Sequence, residues 1–99
     1  MGKADYENAK AGIRHGGFYT LWKVQRTAEI QKSIRSLHDQ IAVHQDKIAN
    51  PDRYIDGSVS PQQREGIINR YWPKEVNNFL QQIDILEGIL QERDHGKTK

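Results

Sequence analysis

Apolar residues recur at heptad spacing in two separate stretches of the chain. The first holds Ile30, Ile34, Leu37, Ile41 and Ile48, with His44 in the one polar place of the series; the second holds Trp72, Val76, Phe79, Ile83, Leu86 and Leu90. At this spacing each set falls along one side of a helix and the intervening polar residues fall on the other, the pattern of two helices burying a shared seam. The punctuation between them sets the boundaries. Asn50 to Ser60, NPDRYIDGSVS, carries the Pro, Asp and Gly of a loop. Ser60-Pro61 reads as an N-cap and first helical position, with Gln63 placed to complete a capping box.

The predicted fold is therefore all-α: a long antiparallel helical hairpin with a short N-terminal helix packed against it. The expected elements are a short helix over about 4–13, a long helix over about 20–49, a loop over 50–60, a long kinked helix over about 61–93 and a frayed tail over 94–99. Tyr6, Ala9 and Ile13 give the short helix one apolar side, and Gly16-Gly17 is expected to end it. Thr20 is the expected N-cap of the long helix, with Tyr19 and Val24 forming a hydrophobic staple. Thirty residues of helix would make a rod of roughly 45 Å. Pro73 disfavours interior helix, but the apolar phase runs on from Ile68 through Trp72 to Val76, which favours a kink over a break. The hairpin alignment places His44 opposite Gly66 to Arg70, with Asn69, Arg70 and Tyr71 as its polar neighbours.

Composition narrows what such a hairpin can do. Ninety-nine residues make one small domain with a modest core, so any active site is expected to be a surface groove. Cysteine is absent, which removes disulfides, a thiol nucleophile and Cys-based metal sites. No apolar run approaches the roughly 20 residues that span a bilayer, and the N-terminus lacks the regions of a signal peptide. Met1-Gly2 invites comparison with a myristoylation site, but Tyr6 stands where Ser or Thr is expected. Fifteen Lys and Arg against thirteen Asp and Glu leave a net charge of +2. Between Lys10 and Arg35, however, the bases Lys10, Arg14, Lys23, Arg26, Lys32 and Arg35 meet only Glu29. Such a patch suits phosphate backbones or acidic proteins.

The chain contains no phosphate-binding glycine loop, zinc-protease histidine pair, nucleophile elbow or EF-hand loop. His38 and His44 stand some 240° apart around a helix of 3.6 residues per turn and do not form a metal pair, so neither a metal nor a cofactor is expected. Metal-independent RNA cleavage is compatible with these absences, because the ribose 2′-OH is itself the nucleophile and the protein need supply only a base, an acid and cations. The candidates are His44 as general base or acid, with Lys47 and Arg70 stabilising the phosphate. Arg14, His15, Tyr19, Trp22, Lys23 and Arg26 mix bases with aromatics in the manner of an RNA-binding platform. Each has a structural alternative: His44 as a polar device that sets helix register, and Phe18, Tyr19 and Trp22 as anchors between helices.

The run KSIRSLHDQIAVHQDKIANPDRY, with INRYWPKEVNNFLQQIDILEGILQER after the loop, resembles the small helical domains at the C-termini of bacterial polymorphic and contact-dependent growth inhibition toxins, over Thr20 to Arg93. That resemblance implies a nuclease, often one attacking tRNA in the cytoplasm of a target bacterium, neutralised by an immunity protein. The alternative from a different class is a non-catalytic helical interaction module, an adaptor or inhibitor, whose basic surface meets an acidic protein partner. Neither reading involves a membrane.

Overall fold

The structure, a computed structural model, describes residues 3–97 and the side chains of residues 4–94. The Met1-Gly2 pair and the last two residues of the expected tail lie outside the described residues. The chain is all-helical among the described residues: α1 (Lys3–Lys10), α2 (Gly16–Trp22), α3 (Thr27–Ala49), a 3₁₀ turn (Pro51–Arg53), α4 (Pro61–Gly66), a π-helical turn (Ile67–Tyr71) and α5 (Trp72–Lys97). The last three form one continuous helical path. It runs antiparallel to α3, as the two heptad series require. The molecule measures 58 × 26 × 22 Å with a radius of gyration of 16.7 Å, against about 13 Å for a compact domain of this length. The hairpin sets the shape.

The seam contains the expected residues. Ile30, Leu37 and Ile41 of α3 are buried against Ile83 and Leu86 of α5, with Ile34, Val76, Phe79 and Leu90 packed beside them. A second apolar stripe on α5 was not expected. Ile85 and Ile89 are each 1% exposed and belong to the same core as Ala9 of α1 and Tyr19 of α2. Helix α5 thus packs against α3 on one side and against α1 and α2 on another. Each fully buried Leu or Ile contributes about 1.5–3 kcal/mol, and three of the four largest such side chains, Ile85, Leu86 and Ile89, lie on this one helix.

Three expected boundaries are corrected. Helix α1 ends at Lys10, ahead of Gly16-Gly17. Its terminator is Gly12, whose φ of +79° is the left-handed geometry that a glycine after a helix adopts without strain. The long helix over 20–49 is in fact two helices that meet at a corner over residues 23–26. Thr20 lies inside α2, and Val24 is 73% exposed, so the Tyr19–Val24 staple does not form. The cause of the corner is distant in sequence: the Arg93 guanidinium donates to the carbonyls of Lys23 at 2.9 Å and Gln25 at 2.5 Å, and to Thr27 Oγ1 at 2.9 Å. It takes up carbonyls that the helix leaves without partners where it turns. At the other end, α5 continues to Lys97 past the expected limit at 93.

Pro73 neither ends nor breaks the helix. The turn just before it widens to π geometry, and the Trp72 N–H donates to the Ile67 carbonyl five residues back. A wider turn relieves the clash that a proline ring makes with the carbonyl four residues behind it. The capping box at Ser60 forms as expected, Ser60 Oγ accepting from the Gln63 N–H at 3.2 Å and Gln63 Oε1 from the Ser60 N–H at 3.4 Å.

Gly88 is buried where α1 crosses α5, and a Cβ there would fall 2.8 Å from the Tyr6 Cβ and closer still to its ring. Gly66, also helical, has open space around it. Gly88→Ala is expected to lower the urea-unfolding free energy by about 1–3 kcal/mol through overpacking, despite a helix-propensity gain of about 1 kcal/mol. Gly66→Ala, with the same propensity gain and no clash, is expected to raise it.

Candidate functional site

Residue His44 is the polar member of the seam, and the helices fix it from both sides. Its Nδ1 lies 2.9 Å from the Gln40 carbonyl one turn back on α3, and its Nε2 lies 2.9 Å from Glu75 Oε1 on α5. The ring stands edge-on to Phe79 at 5.1 Å, and the side chain is 12% exposed. Both nitrogens therefore face acceptors. An imidazolium satisfies both contacts; a neutral ring can donate only once. In this arrangement no nitrogen is free to take a proton from a substrate, and the Nε2 contact is spent on Glu75.

The hairpin register is the correction that matters here. His44 meets Glu75 and Phe79 in place of the expected Asn69, Arg70 and Tyr71, because α3 and α5 pack with Lys47, one turn further on, at the level of Trp72. Arg70 lies exposed in the π-helical turn, beyond Trp72 on the loop side. Lys47 Nζ stands over the rings of Tyr54 and Trp72. The three residues expected to share one catalytic centre thus have three different surroundings.

The six expected RNA-contacting residues divide in the same way. Tyr19 is 8% exposed and built into the core, so its ring face is not offered for stacking. Trp22 is half-buried and packs on Phe18, ring centroids 6.0 Å apart. His15, at the N-cap of α2 with φ 60°, places Nε2 3.1 Å from Gln81 Oε1. Arg14, Lys23 and Arg26 are exposed. Of the platform, the cations face solvent and the aromatics serve the core.

A polar cluster around Glu92 joins α5 to the two N-terminal helices. Glu92 accepts hydrogen bonds from the hydroxyls of Tyr6 and Tyr19, the latter at 2.9 Å, and Lys10 Nζ lies 3.7 Å away. Asp84 accepts from the Tyr6 backbone N–H at 2.9 Å, tying the first turn of α1 to α5. Burial works to raise the Glu92 pKa, but the two hydroxyls and Lys10 outweigh it and hold the carboxyl below its ordinary value. Burial, and then the bond to Glu92, push the Tyr6 and Tyr19 hydroxyls up. The signal was present as the second stripe, Ile85, Ile89 and Glu92 at helical spacing. It was hidden by the stronger heptad series beside it.

Open grooves flank α5. One is lined by Asp5, His38, Leu80, Asp84 and Glu87, another by His15, Phe18, Gln81 and Ile85, and neither contains His44. Among the described residues no three His, Cys, Asp or Glu side chains are grouped to hold a metal ion, and no helix is long and apolar enough to cross a membrane. No family model, curated protein or solved structure matches the chain.

The Glu92 cluster sets a pH window for stability. A carboxylate with a lowered folded pKa stabilises above its ordinary value, and that contribution is lost as pH falls through the folded value. Tyrosines with raised folded pKa values stabilise below their ordinary value of about 10, and lose that contribution as pH rises. Urea unfolding across pH is expected to show both flanks. Glu92→Gln is expected to cost about 1–3 kcal/mol at neutral pH and to flatten the acid flank.

Proposed function

We propose that this chain is a non-catalytic helical interaction module that docks an acidic protein partner through the outward side of α2. The observation that carries this reading is the position of the most exposed large apolar side chains among the described residues: Ile13 at 73%, Leu21 at 58% and Val24 at 73% exposure. All lie within one twelve-residue segment. Leu21 lies on α2, Ile13 in the turn that precedes this helix and Val24 in the corner that follows it. Single exposed apolar residues are ordinary, but a short segment that gathers the three most exposed ones is what an interaction surface requires.

Its rim is basic. Arg14, Lys23 and Arg26 are exposed in the same segment as the apolar residues, and no acid occurs between Lys10 and Arg26. That charge disfavours a second copy of the same face across a two-fold axis and favours an acidic surface with an apolar centre. The ribonuclease reading is the second, supported by the same three cations, whose charge suits a phosphate backbone equally well. What weighs against it is His44, whose nitrogens are both taken up within the protein.

Photo-crosslinking groups at Leu21 and at Val24, in the cells that make the protein, are expected to join it to an acidic protein. That product is expected to be lost in the Leu21→Glu, Val24→Glu double variant and to diminish as salt is raised, since the screening length shrinks from about 8 Å at physiological ionic strength to about 3 Å at 1 M. Purified tRNA incubated with the protein is expected to stay intact. Discrete tRNA fragments that disappear with a folded His44→Ala protein would reverse the conclusion in favour of the ribonuclease.

A further inference from the structure

At the tip of the hairpin, far along α3 and α5 from the docking side of α2, two aromatic residues flank an ammonium group. The last turn of α3 supplies Lys47, and the 3₁₀ turn Pro51–Arg53 folds the chain back so that Tyr54 stands edge-to-face against Trp72, ring centroids 6.5 Å apart at 83°. Lys47 Nζ lies 5.8 Å from each of these two centroids. Tyr54 is held in place by its hydroxyl, which donates to Asp46; Asp46 also accepts from Asn50 Nδ2 at 2.9 Å. An open groove of about 370 Å³ adjoins the pair and is also lined by Tyr71, which is 56% exposed, and by Asp56.

We propose that this groove is a binding site for an alkylated ammonium group, and that Lys47 is its built-in occupant. Ring faces carry negative quadrupole potential, and a cation placed over two of them, near a carboxylate, is attracted from both sides. A primary ammonium such as that of Lys47 is compact and strongly hydrated, so it gains little from leaving water. A methylated ammonium carries the same charge with a weaker hydration shell and apolar methyl groups that pack on the rings. It therefore competes favourably for the place that Lys47 holds, and the flexible lysine stem lets the native group swing into solvent. Two sources share this chemistry: a methylated lysine on a protein, and the choline headgroup of a lipid. The site is independent of the α2 side, and its fate does not bear on the docking reading.

The test follows the indole N–H of Trp72 by NMR in the full chain, with the indole of Trp22 as an internal reference, during titration with tetramethylammonium chloride against sodium chloride at equal ionic strength. A saturable shift confined to Trp72 is expected with tetramethylammonium alone. Tyr71→Ala is expected to weaken it. Lys47→Ala, by removing the competitor, is expected to tighten binding about tenfold or more, and Lys47→Gln serves the same purpose if the alanine variant does not fold. Trimethyllysine peptide and phosphocholine, titrated in turn, then identify the source by which one binds more tightly. A Trp72 indole that does not move with tetramethylammonium in the wild type or in a folded Lys47 variant overturns the site. Equal affinities with and without Lys47 overturn its role as occupant.

Discussion

Helix α5 has to bury two sides at once, and the rest of the molecule is arranged around that requirement. A helix burying one stripe needs one partner; α5 presents Ile83 and Leu86 to α3, and Ile85 and Ile89 to the N-terminal helices. In a chain of this length no other element is available to cover the second stripe. So α1 and α2, which are too short to persist alone in water, become a lid over it. Tyr6 comes down onto Gly88, where only the missing Cβ leaves room for the ring. The approach is closed at its far end by Glu92, which receives the hydroxyls of both Tyr6 and Tyr19. The same helix, one residue later, supplies Arg93 to hold the corner between α2 and α3. Apolar burial drives the lid down, and the neighbouring polar groups orient it.

This use of α5 decides what is left for function. The aromatics of the N-terminal segment are consumed by the lid: Tyr19 in the core, Phe18 and Trp22 against each other at its edge. What remains on the outside is the complementary set, Ile13, Leu21 and Val24, in a segment whose charged residues are all basic. The inner side of α2 satisfies the fold, while Leu21 on its outer side is left exposed among the described residues. His44 is likewise taken into the structure. A histidine between two helices, bonded to one through Gln40 and to the other through Glu75, resists a sliding of α3 along α5 that apolar contacts alone would tolerate.

Much of the fold was legible in the order of residues. The two heptad series, the loop between them and the Ser60 capping box depend on periodicity and local turn chemistry, and these are readable at short range. The candidate site was less so. His44 was identifiable as the one polar place in the series, but not its neighbours, because the partner across a hairpin depends on register. A shift of about two turns exchanges Arg70 and Asn69 for Glu75 and Phe79, and with them a cationic surrounding for an acidic one. Lys47 and Arg70 part company for the same reason. The basic patch was visible from its charges alone, yet which of its aromatics would remain outside depended on a second stripe that a single-period reading does not separate from the first.

By itself, then, the sequence determined that this protein is helical, that two long helices pair along a seam with one histidine in it, where the capped helix begins, and that the N-terminal half is basic. Those follow from interactions within a few residues or from summed charge. Tertiary structure decided the register of the pair, the corner at residues 23–26, the fate of Pro73 and the pairing of Glu92 with Tyr6 and Tyr19. Each of these depends on groups distant in sequence or on accommodation in three dimensions: Arg93 reaching back to Lys23, Tyr6 seated on Gly88, a widened turn making room for a proline ring. No local pattern records such contacts, because their free energy exists only once the chain has folded.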